Sequence, residues 1–168
     1  TRLGVYISKN RIVNVLEDHR YQSLRKKWGT RSELYFFGYF IGQALAIVLF
    51  SIPLLVLMAN SKMAWTLWEI IGILVWTAGV GLETMADYQL TRFRRIPQNK
   101  GKTCREGLWW YSRHPNYFFE VVHWFAYVAM GIGVSNGWLT LIGPVAMIFA
   151  LLKVSGIPLA EAQALTSR

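Results

Sequence analysis

The chain has 168 residues, 54% of them hydrophobic, 15% aromatic and 16% charged, with a formal net charge of +9. That balance excludes a disordered segment and is too apolar for an ordinary soluble domain. A single cysteine, Cys104, excludes a disulfide within the chain and any multi-thiolate metal centre.

The opening, TRLGVYISKNRIVNV, is broken by charges and does not read as a cleavable signal peptide. It starts on Thr1 rather than Met, and the chain reads as a piece of a larger bundle. Residues 11–29, RIVNVLEDHRYQSLRKKWG, predict a basic amphipathic surface helix with Trp28 at the membrane interface. Residues 1–34 as a whole form a basic cytoplasmic segment.

Residues 35–58, YFFGYFIGQALAIVLFSIPLLVLM, carry no charge and exceed the roughly 20 residues that one membrane span needs. A short polar turn over 59–63 leads to a second apolar run, 64–86, interrupted only by Glu69 and Glu83. Together they predict a helical hairpin over 35–86. A basic loop over 87–115 follows, with Arg92, Arg94, Arg95, Lys100, Lys102, Arg105 and Arg113. A second hairpin is expected over 116–156, from apolar residues 117–134, the turn Ser135-Asn136-Gly137 and apolar residues 138–152. Both of its helices are short for full spans. The expected fold class is all-α, a single multi-pass transmembrane bundle over 1–168 with about four membrane helices.

Alternating those helices across a bilayer puts all 18 basic residues except Lys62 on one side. The positive-inside rule makes that side cytoplasmic. Topology thus accounts for the charge, and nucleic acid is not an expected partner. The expected location is a bacterial inner membrane, or the endoplasmic reticulum in a eukaryotic cell, with the lipid bilayer as the immediate partner.

The polar groups of the second half crowd into GLWWYSRHPNYFFEVVHW, residues 107–124. Pro115 suits the first turn of a helix, and Ser112 is the cap expected before it. The free N–H groups of that terminus, beside Arg113, suit an anion such as a phosphate. Asn116, Glu120, His123 and Tyr127 recur at helical spacing and form a polar stripe. Trp109, Trp110, Tyr111 and Tyr117 read as an aromatic belt at the interface. A carboxylate one turn inside the membrane, such as Glu120, normally faces a cavity or a partner. Glu120 and His123 form E-x-x-H, the ligand pair of di-iron bundles, but a second such motif is missing and His19, His114 and His123 are the only histidines. No metal is therefore expected from the spacing. Gly79, Gly81, Gly131, Gly133 and Gly137 follow no strand and point to close helix packing rather than to a dinucleotide loop.

The run G-L-W-W-Y-S-R-H-P-N-Y-F-F-E, preceded by D-Y-Q-L-T-R-F-R, resembles the C-terminal region of the steroid 5-alpha-reductase family, especially its small bacterial relatives. It is more distantly similar to sterol reductases and to isoprenylcysteine carboxyl methyltransferases. The flanks R-L-G-x-Y-I, E-D-x-R-Y and S-G-I-P-x-x-E extend the resemblance over most of the chain. It implies NADPH-dependent reduction of a carbon–carbon double bond conjugated to a carbonyl, in a steroid-like or other lipid substrate.

Residue by residue, it implies that Asp87 and Arg94 hold the adenosine and phosphate part of NADPH, and that Asn116 and Glu120 line the cofactor cavity. Arg113, His114 and Tyr117 belong to the same block, and Glu120 is the one candidate for a catalytic group. Arg94, Arg95 and Arg105 have the forked donors to clamp the dinucleotide phosphates. The residues that grip the substrate carbonyl are expected upstream of Thr1, and of the downstream cofactor positions only Lys153 and Glu161 remain.

One alternative is methyl transfer from S-adenosylmethionine to a membrane-embedded acceptor, a branch that shares R-H-P-x-Y but lacks the acid at the Glu120 position. Another is a non-enzymatic assembly subunit, which leaves Glu120 and Arg94 unexplained.

The topology is checked by cysteine accessibility in a Cys104→Ser background. Lys100→Cys is expected to label from the cytoplasm and Lys62→Cys only from the opposite side; the reverse pattern contradicts the assignment.

Overall fold

The computed structural model describes residues 19–60, 65–154 and 156–166. The opening segment, the first part of the expected surface helix, most of the 59–63 turn with Lys62, and Arg168 lie outside the described residues. The described elements are α1 (His19–Trp28), α2 (Ser32–Met58), α3 (Leu67–Arg95), α4 (Pro115–Met130), α5 (Ile142–Phe149) and α6 (Ile157–Thr166). Short 3-10 turns join several of them, and a π turn, Ala150–Val154, follows α5. There is no strand among the described residues.

Three helical stretches are long and apolar enough to cross a membrane: Tyr21–Met58, Leu67–Arg95 and Gly137–Ala162. The chain is an all-α, multi-pass membrane bundle. With α4 it has about four membrane helices, but α4 is short. Its 16 residues span about 24 Å at 1.5 Å each, against a hydrocarbon core of about 30 Å.

The chain divides into two compact units, Thr1–Leu45 and Ala46–Arg168. In the first, an aromatic cluster joins α1 to the start of α2. Trp28 meets Phe36 edge-on with centroids 5.0 Å apart, and Tyr21 lies 6.0 Å from Phe36. Arg25 places its guanidinium 4.9 Å from the centre of the Phe36 ring and pairs with Glu33. A cation over an aromatic face adds to the apolar contact, and the stem of Arg25 covers greasy surface.

The second unit is organised by α3 against α4, its closest-packed pair. The buried residues of α3 are Gly72, Gly79, Ala86 and Phe93, one every seven positions. A seven-residue repeat keeps one seam facing a partner, and small side chains let the two backbones approach. A Cβ added at Gly79 would sit 2.7 Å from His123 Cβ and 2.9 Å from its Cα. One added at Gly72 would meet the Ala126 carbonyl at 2.8 Å and the Met130 side chain. Ala86 and Ala126 are fully buried in the same seam.

The helices run antiparallel, since Asn116 at the start of α4 bonds Asp87 near the end of α3 while Gly72 near the start of α3 faces Met130. The second half of α2 adds Phe50, whose ring centre lies 4.9 Å from that of Trp124. Gly143 of α5 admits Trp124 and the buried Pro53 beside it.

The sequence places the end of the second span at residue 86, but α3 continues to Arg95. The extension is held because Phe93 carries the seven-residue seam one step further and is buried. Asp87, Arg92, Arg94 and Arg95 are therefore helical residues, not loop residues. Ser112 does not cap α4 as expected: the N-cap is His114, without a side-chain bond, and Ser112 Oγ instead accepts from the His114 N–H at 3.2 Å. Among the glycines expected to pack, Gly81 and Gly133 have nothing within 4 Å of an added Cβ, whereas Gly131 and Gly137 lie against each other. Gly133 instead supplies a turn conformation, with φ +80°.

Several polar residues along α3 are satisfied locally. Thr66 and Glu69 form a reciprocal capping box at the start of α3, with Thr66 Oγ1 accepting from Glu69 N at 3.2 Å and Glu69 Oε2 accepting from Thr66 N at 2.7 Å. Thr77 and Thr84 donate to the carbonyls of Ile73 and Val80 one turn back. Large apolar side chains such as Ile47, Leu55, Leu74 and Val145 point outward and are more than half exposed, as lipid contact requires.

Gly79→Val is expected to force the seam apart and to lower stability by roughly 1–3 kcal/mol. Gly81→Ala is expected to be neutral or to stabilise by up to about 1 kcal/mol. Thermal unfolding of both variants in detergent checks the pair, and equal effects would contradict the seam.

Candidate functional site

The α3–α4 register sets three polar levels across the seam. At the loop end, Asn116 Nδ2 donates to Asp87 Oδ1 at 3.0 Å. One turn deeper, Glu120 faces Glu83. Ligand-type atoms of Glu83, Glu120 and His123 all lie within 4.8 Å of one another. Deeper still, His123 packs on Gly79 and its ring lies 6.1 Å from that of Tyr127.

Glu120 is half-buried, held by one hydrogen bond and flanked by an imidazole. Trp124 Nε1 donates to its Oε1 at 3.1 Å, and its Oε2 lies 3.7 Å from His123 Nδ1. Trp124 is itself held by Phe50 and Gly143, so the carboxylate has little freedom to reach lipid. Two carboxylates and an imidazole thus meet inside the bundle, where a polar group needs a partner.

The mouth is closed by the loop and by α6. Trp109 Nε1 donates to the Ala86 carbonyl at 2.8 Å, and Gln89 Oε1 accepts from Leu108 N at 2.9 Å. Gly107, at φ +56°, lies so close to Gln89 that a Cβ would collide with its amide. Trp109 thus docks the loop on α3. Trp110 and Tyr111 are exposed. Glu161 of α6 comes back to the start of α4, with Oε1 3.7 Å from His114 Nε2 and 3.8 Å from Arg113 Nη1. The His114 and Tyr117 rings stack with centroids 5.3 Å apart.

Of the residues singled out in the sequence, Asp87, Asn116, Arg113, His114, Tyr117 and Glu120 share this end of the helix pair. Arg94, Arg95 and Arg105 do not join them by any ion pair among the described residues; all three are exposed. Arg92 and Arg95 line a separate hollow of about 280 Å³ with Tyr88, Thr91 and Ile96. Lys153 lies exposed in the π turn.

Glu83 is the residue at this site that motifs in the sequence do not single out. Its signal was present: Glu83 and Asp87 are one turn apart on α3, as Asn116 and Glu120 are on α4. Two atoms at this end, His114 Nε2 and Asn116 Oδ1, are buried without a hydrogen-bond partner, as is His123 Nδ1 deeper in.

A family model described as a protein of unknown function matches the chain over residues 1–168. No curated protein and no solved structure matches it.

Trp109→Phe removes the bond to Ala86 and is expected to cost about 1 kcal/mol. Hydrogen exchange should rise at residues 107–110 and stay unchanged along the Gly72–Gly79 seam; unaltered exchange at 107–110 would contradict the docking role.

Proposed function

The chain belongs to that family, DUF1295, and we propose that it is an NADPH-dependent membrane reductase of a carbon–carbon double bond conjugated to a carbonyl in a steroid-like or other lipid substrate. The observation that carries the reading is the grouping of Asp87, Arg113, His114, Asn116, Tyr117 and Glu120 at one end of an apolar helix pair. These are the positions at which the chain resembles the steroid 5-alpha-reductase family.

The residues fit a dinucleotide in two respects. His114 Nε2 and Asn116 Oδ1, which make no hydrogen bond within the protein, offer polar contacts at the mouth. The exposed Arg94, Arg95 and Arg105 have guanidinium groups free of ion pairs among the described residues, and a guanidinium pairs with phosphate through two donors at once. When bound, NADPH supplies a hydride to the β carbon of the enone, and the α carbon takes up a proton. Glu120, oriented by Trp124, keeps the inner wall of the mouth polar. The apolar flanks of α3 and α4 exclude water from the reacting carbons and admit a lipid-like substrate.

In this reading the mouth, the 96–114 loop and α6 face the cytoplasm of a bacterial inner membrane. The basic residues supply the reason, since they gather at that end. The approach of Glu161 to Arg113 and His114 agrees, because it brings α6 back to the same end as the loop.

Isothermal titration of the purified protein in nanodiscs tests the reading. NADPH is expected to bind more tightly than NADH. Arg94→Ala should weaken NADPH binding by roughly 10-fold to 100-fold, the equivalent of one charge-assisted contact. Glu120→Gln should fold and lose turnover. Binding of S-adenosylmethionine in place of NADPH would contradict the proposal and favour a methyltransferase.

A further inference from the structure

α3 carries three acids, Glu69, Glu83 and Asp87; the capping box accounts for Glu69 and the bond from Asn116 for Asp87. Glu83 has no such role. It lies within the seam, its carboxylate turned toward that of Glu120, with the imidazole of His123 beside both. Two facing carboxylates in an apolar bundle repel each other when both are ionised, and both are half-buried here. The seam holds them together because Gly79 lets the backbone of His123 close in.

We propose that Glu83, Glu120 and His123 form a binding site for one divalent transition cation, of the Zn²⁺, Mn²⁺ or Fe²⁺ class. When both carboxylates are ionised beside a neutral imidazole, the cluster carries two negative charges, which one divalent cation would cancel. The geometry agrees. An ion centred among three atoms no more than 4.8 Å apart lies at most about 2.8 Å from each, and bonds to zinc are about 2.0–2.2 Å. Side-chain rotation of under about 1 Å per ligand closes that gap.

The donor atoms are also prepared for an ion. His123 Nδ1 is buried with no hydrogen-bond partner, and at 3.7 Å it stops short of a bond to Glu120 Oε2. Trp124 Nε1 holds the other oxygen of Glu120, the kind of outer contact that orients a ligating carboxylate. A set of two oxygens and one nitrogen without thiolate suits the borderline and harder divalent ions, not copper(I) or an iron–sulfur cluster. Three protein ligands leave a coordination position open, as in catalytic rather than structural sites.

Spacing along the sequence gives no such expectation, because E-x-x-H occurs once. The third ligand comes from another helix, 37 positions before Glu120 in the chain numbering. The site lies one turn deeper than Asn116 and stands whether or not a nucleotide occupies the mouth.

The test uses the whole chain purified without a polyhistidine tag, stripped with a chelator and titrated with Zn²⁺. About one zinc per chain is expected, together with a rise in unfolding temperature. Glu83→Gln and His123→Gln should each weaken binding more than about 100-fold, and Trp124→Phe about 10-fold, the low end of the range for outer contacts. Glu106→Gln, an exposed acid in the loop, should leave binding unchanged.

Should the inner variants not fold, zinc X-ray absorption of the wild type decides: it must show one imidazole with oxygen ligands. Less than half an equivalent of zinc, an all-oxygen shell, or stoichiometric binding that survives both inner substitutions would overturn the site.

Discussion

The close approach of α3 and α4 is the constraint on which the rest depends. Lipid gives two helices no hydrophobic reason to associate, so contact has to come from shape and from polar pairing. Gly72, Gly79 and Ala86 provide the shape, at the seven-residue interval that keeps one edge of α3 against its neighbour. Asp87 with Asn116 provides polar pairing at one end. Once the register is fixed there, each later level follows: Glu83 meets Glu120, Gly79 meets His123 and Gly72 meets Met130.

The same constraint gives the molecule two ends of different character. Around Asn136 and Gly137 the chain turns tightly, with Thr140 Oγ1 donating to the Gly137 carbonyl at 2.6 Å and Asn136 in the left-handed region at φ 57°. An apolar hollow of about 340 Å³ between Val128 and Leu141 lies there. At the other end, the 107–110 turn docks on α3 through Trp109 and Gln89, and α6 returns Glu161 to His114. Polar chemistry is thus gathered at the basic end and continues inward only along the seam. The proposed nucleotide mouth and the proposed cation site are successive levels of one ladder, separated by a turn of helix.

The spans were legible because an uninterrupted apolar run has few other uses: 35–58 falls within α2 as observed, and the second run falls within α3 but for its first three residues. The end of α3 was not legible, since residues 87–95 carry charges that resemble a loop while Phe93, buried on the seam, keeps them helical. The last apolar stretch reads as one helix from 138 to 152 but is built of 3-10, α and π turns in succession, which local composition does not separate.

The polar stripe on α4 was visible from its helical spacing. Its partner was not, because a pairing of Glu120 with Glu83 depends on the register between helices, and that register is set by a glycine lacking a side chain. Glu161 stands out in the sequence by its place in S-G-I-P-x-x-E, yet its return to His114 depends on the composite helix that carries it back.

The claim at the centre of this account is the contact of Gly79 with His123, and solid-state NMR of carbon-labelled protein in lipid bilayers measures it without any substitution. An added Cβ at Gly79 would lie 2.7 Å from His123 Cβ, so a strong carbon–carbon cross-peak between Gly79 and His123 is expected at short mixing time, with none from Gly81, which has no such neighbour. A spectrum in which both residues are assigned and that cross-peak is missing would contradict the seam, and with it the meeting of Glu83 and Glu120.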